Sequence, residues 1–276
     1  MTTAEPLNLT RVDTGTDHLL AERDGHTLIL TFNRPERMNA ISGPMLGNLA
    51  RLLTEANRNP EVRVVILTGT GRGFCAGLDL VDNNPNAAGG GIRPARSLFD
   101  LHDSVPTVLW NMDKPVICAL NGPAAGYGMD LAMLCDIRIS GENGKMAAIT
   151  ARRNLLPESG GSWLLPRLVG WAKASEMFYR GLTLNAQQCL EIGLVNTVVP
   201  QDELMATARQ WAREIEANAP MAVQTTKRMM RQGLNETYET TVDHLMAHLN
   251  VMFGMDDFKE GVAAFLEKRP PEFTGR

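Results

Sequence analysis

Residues 115–136 read PVICALNGPAAGYGMDLAMLCD. An apolar, β-branched run (PVICALNG, residues 115–122) enters a turn built of small residues, and a helical pattern, LAMLCD, follows Asp130. A strand apolar on both faces fits a buried parallel sheet better than an antiparallel one. Residues 62–69, VRVVILTG, have the same form and feed a second glycine turn, Gly73-Phe74-Cys75-Ala76-Gly77-Leu78-Asp79-Leu80. Two strands that each empty into a glycine-rich turn, with helical segments between them, point to an α/β core.

Working outward, LLAER and TLILTF flank Asp24-Gly25 and predict a β-hairpin. Met45, Leu49, Leu52 and Leu53 keep helical spacing after Pro44, a favoured first helical residue. CDIRIS and LVNTVV are further strand candidates. From about residue 201 the pattern becomes helical: Leu204, Ala208, Trp211 and Ile215 share one face, and Tyr238, Val242, Leu245, Leu249 and Met252 form a longer stripe. The expected organisation is a loose leader over 1–16, a core over 17–200 and a helical region over 201–276. The stretch 82–96, with three consecutive glycines, reads as a loop.

With 27 Lys and Arg against 31 Asp and Glu, the net charge is −4, so no basic surface for nucleic acid is expected. No run approaches the roughly 18 apolar residues of a membrane span, and the polar start does not read as a signal peptide. Cys75, Cys118, Cys135 and Cys189 show no CxxC pairing, so free buried thiols and a cytoplasmic location are expected. Serine-hydrolase chemistry lacks its GxSxG elbow, and the first glycine turn has neither GxGxxG nor GK[ST] spacing. His244 and His248 share a helix face without an HExxH context, so no metal site is expected.

What remains is the pair of glycine turns. Small residues admit close backbone approach, and a helix start offers unpaired N–H groups at a positive dipole end. Two converging turns can direct two backbone donors at one developing oxyanion.

Together these segments resemble the crotonase (enoyl-CoA hydratase/isomerase) family. The resemblance runs from about residue 18 to the end, through NRPERMNAIS, VRVVILTGTGRGFCAGLDL, DKPVICALNGPAAGYGMDLAMLCDIRIS, PESGGSWLLPRLVG, GLTLNAQQCLEIGLVNTVVP and AAFLEKRPPEF. It implies a ββα spiral core with a helical C-terminal trimerisation region, assembly as a homotrimer or hexamer, and an acyl-CoA thioester substrate. It implies no cofactor beyond the coenzyme A moiety of that substrate. By position, the oxyanion donors would be the backbone N–H groups of Ala76 and Tyr127, the latter standing where many relatives have glycine. Arg37, Met38 and Ala40, with Ala76, Leu78 and Asp79, resemble the part that cradles adenine and pantetheine. Phe265 and Lys268 match positions that close over coenzyme A, sometimes from a neighbouring subunit. Cys75 reads as a small apolar filler.

The acids and bases depart from the pattern of a hydratase, which uses two glutamates. The first position holds Asp130, whose place in a helical first turn favours the ionised form. The second holds Thr150, which cannot shuttle a proton at neutral pH. Eight residues on, Glu158 lies between Pro157 and Ser159-Gly160-Gly161, in a stretch similar to that of ring-1,2-epoxyphenylacetyl-CoA isomerases, where partial desolvation would raise its pKa. The main expectation is hydration of a 2-enoyl-CoA, with Asp130 and Glu158 sharing the work. The alternative is a double-bond isomerase that uses Glu158 alone, and the third reading is an inactive acyl-CoA-binding protein.

Overall fold

A computed structural model of the chain describes residues 9–79, 81 and 102–276. The 82–96 loop and the first eight residues of the expected leader lie outside these. The strands are β1 (Thr10–Val12), β2 (Leu19–Asp24), β3 (Thr27–Phe32), β4 (Val64–Gly69), β5 (Val116–Leu120), β6 (Pro123–Ala125), β7 (Ile137–Gly141), β8 (Lys145–Ala147), β9 (Thr183–Asn185) and β10 (Thr197–Val199). The helices are α1 (Gly43–Arg58), α2 (Val105–Asn111), α3 (Tyr127–Leu134), α4 (Gly161–Val169), α5 (Trp171–Arg180), α6 (Ala186–Glu191), α7 (Leu204–Glu216), α8 (Pro220–Gly233), α9 (Tyr238–Met252) and α10 (Asp256–Glu267).

The main sheet runs β1-β2-β3-β4-β5-β7-β10. Its first three strands are antiparallel and the rest parallel. The predicted hairpin is β2–β3, β4 and β5 are the apolar parallel strands read from the sequence, and the further candidates CDIRIS and LVNTVV contain β7 and β10. One expectation fails at the start of the chain: part of the leader, Thr10–Val12, is not loose but pairs with Arg23–Ala21 at the sheet edge. A small second sheet pairs β6 with β8 and β8 with β9, and the glycine turn after β5 runs into it.

Both faces of the main sheet are covered, which is why its strands carry so few polar residues. Val65 and Leu67 of β4 face the larger core with α1, α2 and α3. Val64 and Ile66 face the other side, where Leu204, Ala208 and Ala212 of α7 cover them. Ser42 caps α1, its side chain accepting the Met45 N–H, and Met45, Leu49, Leu52 and Leu53 are buried as their spacing predicts.

The last three helices behave differently. α9 buries none of its residues, although its apolar stripe predicts a packed face. Tyr238, Val251 and Phe253 are exposed on it or at its end, as are Phe265 and Leu266 on α10. Polar clasps tie α8 to the core: Asp113 pairs with Arg228 and with Arg231 (3.1 Å), and Lys227 pairs with Asp136 (2.7 Å). The α/β core followed by a helical C-terminal region is the ββα spiral arrangement expected from the sequence.

Candidate active site

The two glycine turns meet. Phe74 N–H and Cys75 N–H donate to the Pro123 carbonyl (3.1 and 3.2 Å), and Ala125 N–H donates to the Cys75 carbonyl (3.0 Å). α3 starts immediately afterwards at Tyr127, and its second residue, Gly128, is pressed on the first turn: a Cβ there would stand 2.2 Å from the Cys75 carbonyl oxygen. A Cβ on Gly77 would come within 3.6 Å of the Tyr127 nitrogen, so the turns also meet at that end.

Their hydrogen bonds decide which N–H groups remain available. Tyr127, first in α3, has no intrahelical acceptor for its N–H, and among the described residues none is supplied from outside. Ala76, expected to be the other donor, instead gives its N–H to the Met38 carbonyl (3.0 Å). Two residues on along the turn stands Leu78. Ile41 N–H donates to the Gly77 carbonyl (2.8 Å) and Asp79 N–H to the Ile41 carbonyl (3.0 Å). Successive peptide groups in an extended segment point to opposite sides, so Leu78 N–H faces away from Ile41 and has no acceptor among the described residues.

Two buried amides hold this frame. Asn39 Nδ2 donates to the carbonyls of Thr70 (2.9 Å) and Gly73 (2.7 Å), and its Oδ1 accepts from Arg34 N–H (2.8 Å). Asn121 Nδ2 donates to the carbonyls of Gly71 (3.1 Å) and Gly73 (3.0 Å). Neither amide stands out in the sequence, since both lie in turns where asparagine is ordinary. Met38 and Asn39 both adopt left-handed backbone, which brings the first loop back onto the turn. That loop joins Arg37, Met38 and Ala40 to Ala76, Leu78 and Asp79 on one rim. Asp79 is buried in it, paired with Arg34 (2.9 Å) and, more loosely, with the half-exposed Arg37 (3.4 Å).

The carboxylates reverse their expected characters. Asp130 is only 2% exposed. Burial, with Glu158 nearby, pushes its pKa up to about 7, against the lowering effect of N–H donation from Ser159 and Gly161. Its helix-start position does not prevail, because removal from water outweighs a partial dipole charge. Glu158, expected to be desolvated, is exposed. The Tyr127 phenol is buried beside Cys75, Glu158 and Asp130, and burial first, then those groups, hold it well above the ordinary range. The Cys75 thiol is pushed up to about 12 by burial, in keeping with a filler. Thr150 is buried next to the second turn, its methyl 4.0 Å from where a Cβ on Gly126 would be. Arg152 packs on Gly181 at the end of α5, and Arg153 is exposed.

Phe265 and Lys268 lie at the end of α10, and none of their hydrogen bonds reaches the glycine turns. Phe265 instead borders an apolar cavity of about 540 Å³ with Leu249, Met252, Phe258 and Phe273. Among the described residues no three His, Cys, Asp or Glu side chains are grouped to hold a metal ion, and no helix is long and apolar enough to cross a membrane.

The enoyl-CoA hydratase/isomerase family profile matches residues 22–276. The 1,2-epoxyphenylacetyl-CoA isomerase of Escherichia coli is 36% identical over 260 residues, covering 94% of this chain and 99% of that protein. The short-chain-enoyl-CoA hydratase of Clostridium acetobutylicum is 34% identical, covering 93% and 97% respectively. Among solved structures, an enoyl-CoA hydratase from Bacillus anthracis matches with a TM-score of 0.86 at 31% identity, over 94% of this chain and 100% of that one.

Proposed function

The chain belongs to the enoyl-CoA hydratase/isomerase family, and from that premise we propose that it is an enoyl-CoA double-bond isomerase with Glu158 as its single proton shuttle. In this reading Glu158 takes a proton from C2 of a 3-enoyl thioester. The electron pair moves toward the thioester oxygen as a dienolate, and the same carboxyl returns the proton at C4, leaving the conjugated 2-enoyl thioester. The oxyanion accepts from Leu78 N–H and Tyr127 N–H, two donors that have no acceptor among the described residues; the first donor thus moves from Ala76 to Leu78. The rim of Arg37, Met38, Ala40, Ala76, Leu78 and Asp79 holds the coenzyme A moiety, and no other cofactor is required.

The observation that carries this reading is Thr150. A hydratase needs a second carboxylate to handle water, and the position that would supply it is a buried threonine against Gly126. The relative named as an isomerase supports the same choice. Hydration remains the second reading, favoured by the retained Asp130 and by relatives named as hydratases. The test follows ultraviolet absorbance of the conjugated thioester with purified protein. The proposal expects a rise with cis-3-enoyl-CoA and no fall with trans-2-enoyl-CoA; a fall in the second would make the protein a hydratase.

The unburied apolar faces of α9 and α10 support assembly into a homotrimer or a dimer of trimers. In that assembly Phe265 and Lys268 close over coenzyme A from a neighbouring subunit. Equilibrium sedimentation showing only monomer would refute it. The division into a core over 17–200 and a C-terminal region over 201–276 is proposed on the same grounds.

A further inference from the structure

Asp130 is the most deeply buried carboxylate near the turns, and its side chain is spent on backbone. Ser159 N–H donates to Oδ2 at 3.2 Å, and the Gly161 backbone is pressed against the same carboxylate, whose pKa it lowers. The approach leaves no room for a side chain at 161: a Cβ there would stand 2.3 Å from Oδ1 and 2.9 Å from the Pro157 side chain. Ser159 follows Glu158 directly, and Gly161 is the first residue of α4. On α3, Asp130 is three residues after Tyr127, one turn along the same face. One carboxylate therefore joins the helix that carries an oxyanion donor to the loop that carries the exposed glutamate.

We propose that Asp130 is a positioning residue: its carboxylate clamps the Ser159–Gly161 turn to α3 and so fixes where Glu158 stands relative to the Tyr127 N–H. The inference rests on the Glu158 reading above. Asp130 transfers no proton to substrate; it acts through the loop. An ionised carboxylate accepts N–H hydrogen bonds more strongly than the protonated acid, so the clamp loosens as Asp130 takes up a proton. The titratable groups facing it are Glu158 from the loop and the Tyr127 phenol from α3, with Cys75 beyond the phenol. Since burial and Glu158 bring its pKa to about 7, the loosening falls near neutral pH.

The experiment compares wild type with Asp130→Asn, Gly161→Ala and Glu158→Gln by steady-state kinetics on cis-3-enoyl-CoA across pH. Amide NMR of deuterated protein labelled with ¹⁵N-serine and ¹⁵N-glycine is recorded alongside. In wild type the Ser159 and Gly161 amide protons should lie downfield and move upfield together as pH falls through about 7. In Asp130→Asn that titration should vanish. Its kcat should fall on the order of 10- to 100-fold with KM little changed, as expected for a misplaced catalytic group, and the inflection of the pH profile near 7 should disappear. Gly161→Ala, which displaces the same carboxylate without altering its chemistry, should reproduce the loss of kcat.

Amides that do not titrate in wild type would overturn the clamp. So would an Asp130→Asn enzyme with wild-type kcat and pH profile while Glu158→Gln is inactive. If Glu158→Gln itself retains full activity, the shuttle reading has failed, and the clamp loses its object even where the amides titrate.

Discussion

Gly128 lies so close to Cys75 that a Cβ on the glycine would stand 2.2 Å from the Cys75 carbonyl oxygen and 2.7 Å from its Cβ. This close approach accompanies the hydrogen bonds that join the two turns. Gly128→Ala must push α3 away from residue 75 and carry Tyr127 N–H with it. Loss of one aligned donor costs about 10²- to 10³-fold in rate. The expected result is a fall of at least that order in kcat/KM, with a lower melting temperature, measured by isomerisation assay and calorimetry.

Glu158→Gln removes the base while leaving an amide of nearly the same shape on an exposed loop. The rate on a 3-enoyl thioester should drop about 10²- to 10⁴-fold, the usual worth of a positioned proton-transfer group. Binding of an unreactive acyl-CoA, measured by calorimetric titration, should change little. A rate loss accompanied by equal loss of binding would instead assign Glu158 to holding substrate.

Asp130 leaves a signature in stability as well as in rate. Its folded-state pKa of about 7 lies above the ordinary 3.8, so the folded chain holds a proton there that the unfolded chain has released. The resulting stabilisation is full below about pH 4 and is lost as pH rises through about 7, a swing of up to roughly 4 kcal/mol. Urea titrations of wild type and Asp130→Asn between pH 5 and 8 should therefore differ in slope, with wild type losing more stability as pH rises. Parallel curves would show that the carboxyl is not perturbed.

Asp113 anchors α8 through Arg228 and Arg231. Burial would raise its pKa, but the two guanidinium groups prevail and hold the carboxyl below its usual range. Its contribution is thus present at neutral pH and fades in acid. Asp113→Ala should cost on the order of 1 kcal/mol, discounted for the partial exposure of Arg228. Proteolysis within residues 217–276 should quicken in this variant, and the gap from wild type should narrow at high salt.

Much of this architecture is legible in the chain. β4 and β5 are readable because strands covered on both faces must be continuously apolar, and α1 because Pro44 and the Met45–Leu53 spacing mark its start and its face. The site is less so. Whether Ala76 or Leu78 has a free N–H depends on the Met38 carbonyl, contributed by a loop 38 residues earlier in the chain. The characters of Asp130 and Glu158 depend on solvent access, which a local pattern does not encode; a helix-start carboxylate reads as ionised until its burial is seen. The stripe on α9 predicts a packed face, but periodicity cannot say whether the packing partner lies in the same chain.

Two sets of bonds divide the labour around α3. Asn39, Asn121 and the Cys75–Ala124 pairing secure the turns, whereas Asp130, Ser159 and Gly161 secure the acid loop. The helix α3 is common to both. On the reading proposed above, a lineage can therefore exchange the exposed group at 158, and with it the fate of the enolate, without rebuilding the turns. Diversification of chemistry on this scaffold is a matter of swapping one wall while the opposite wall stands.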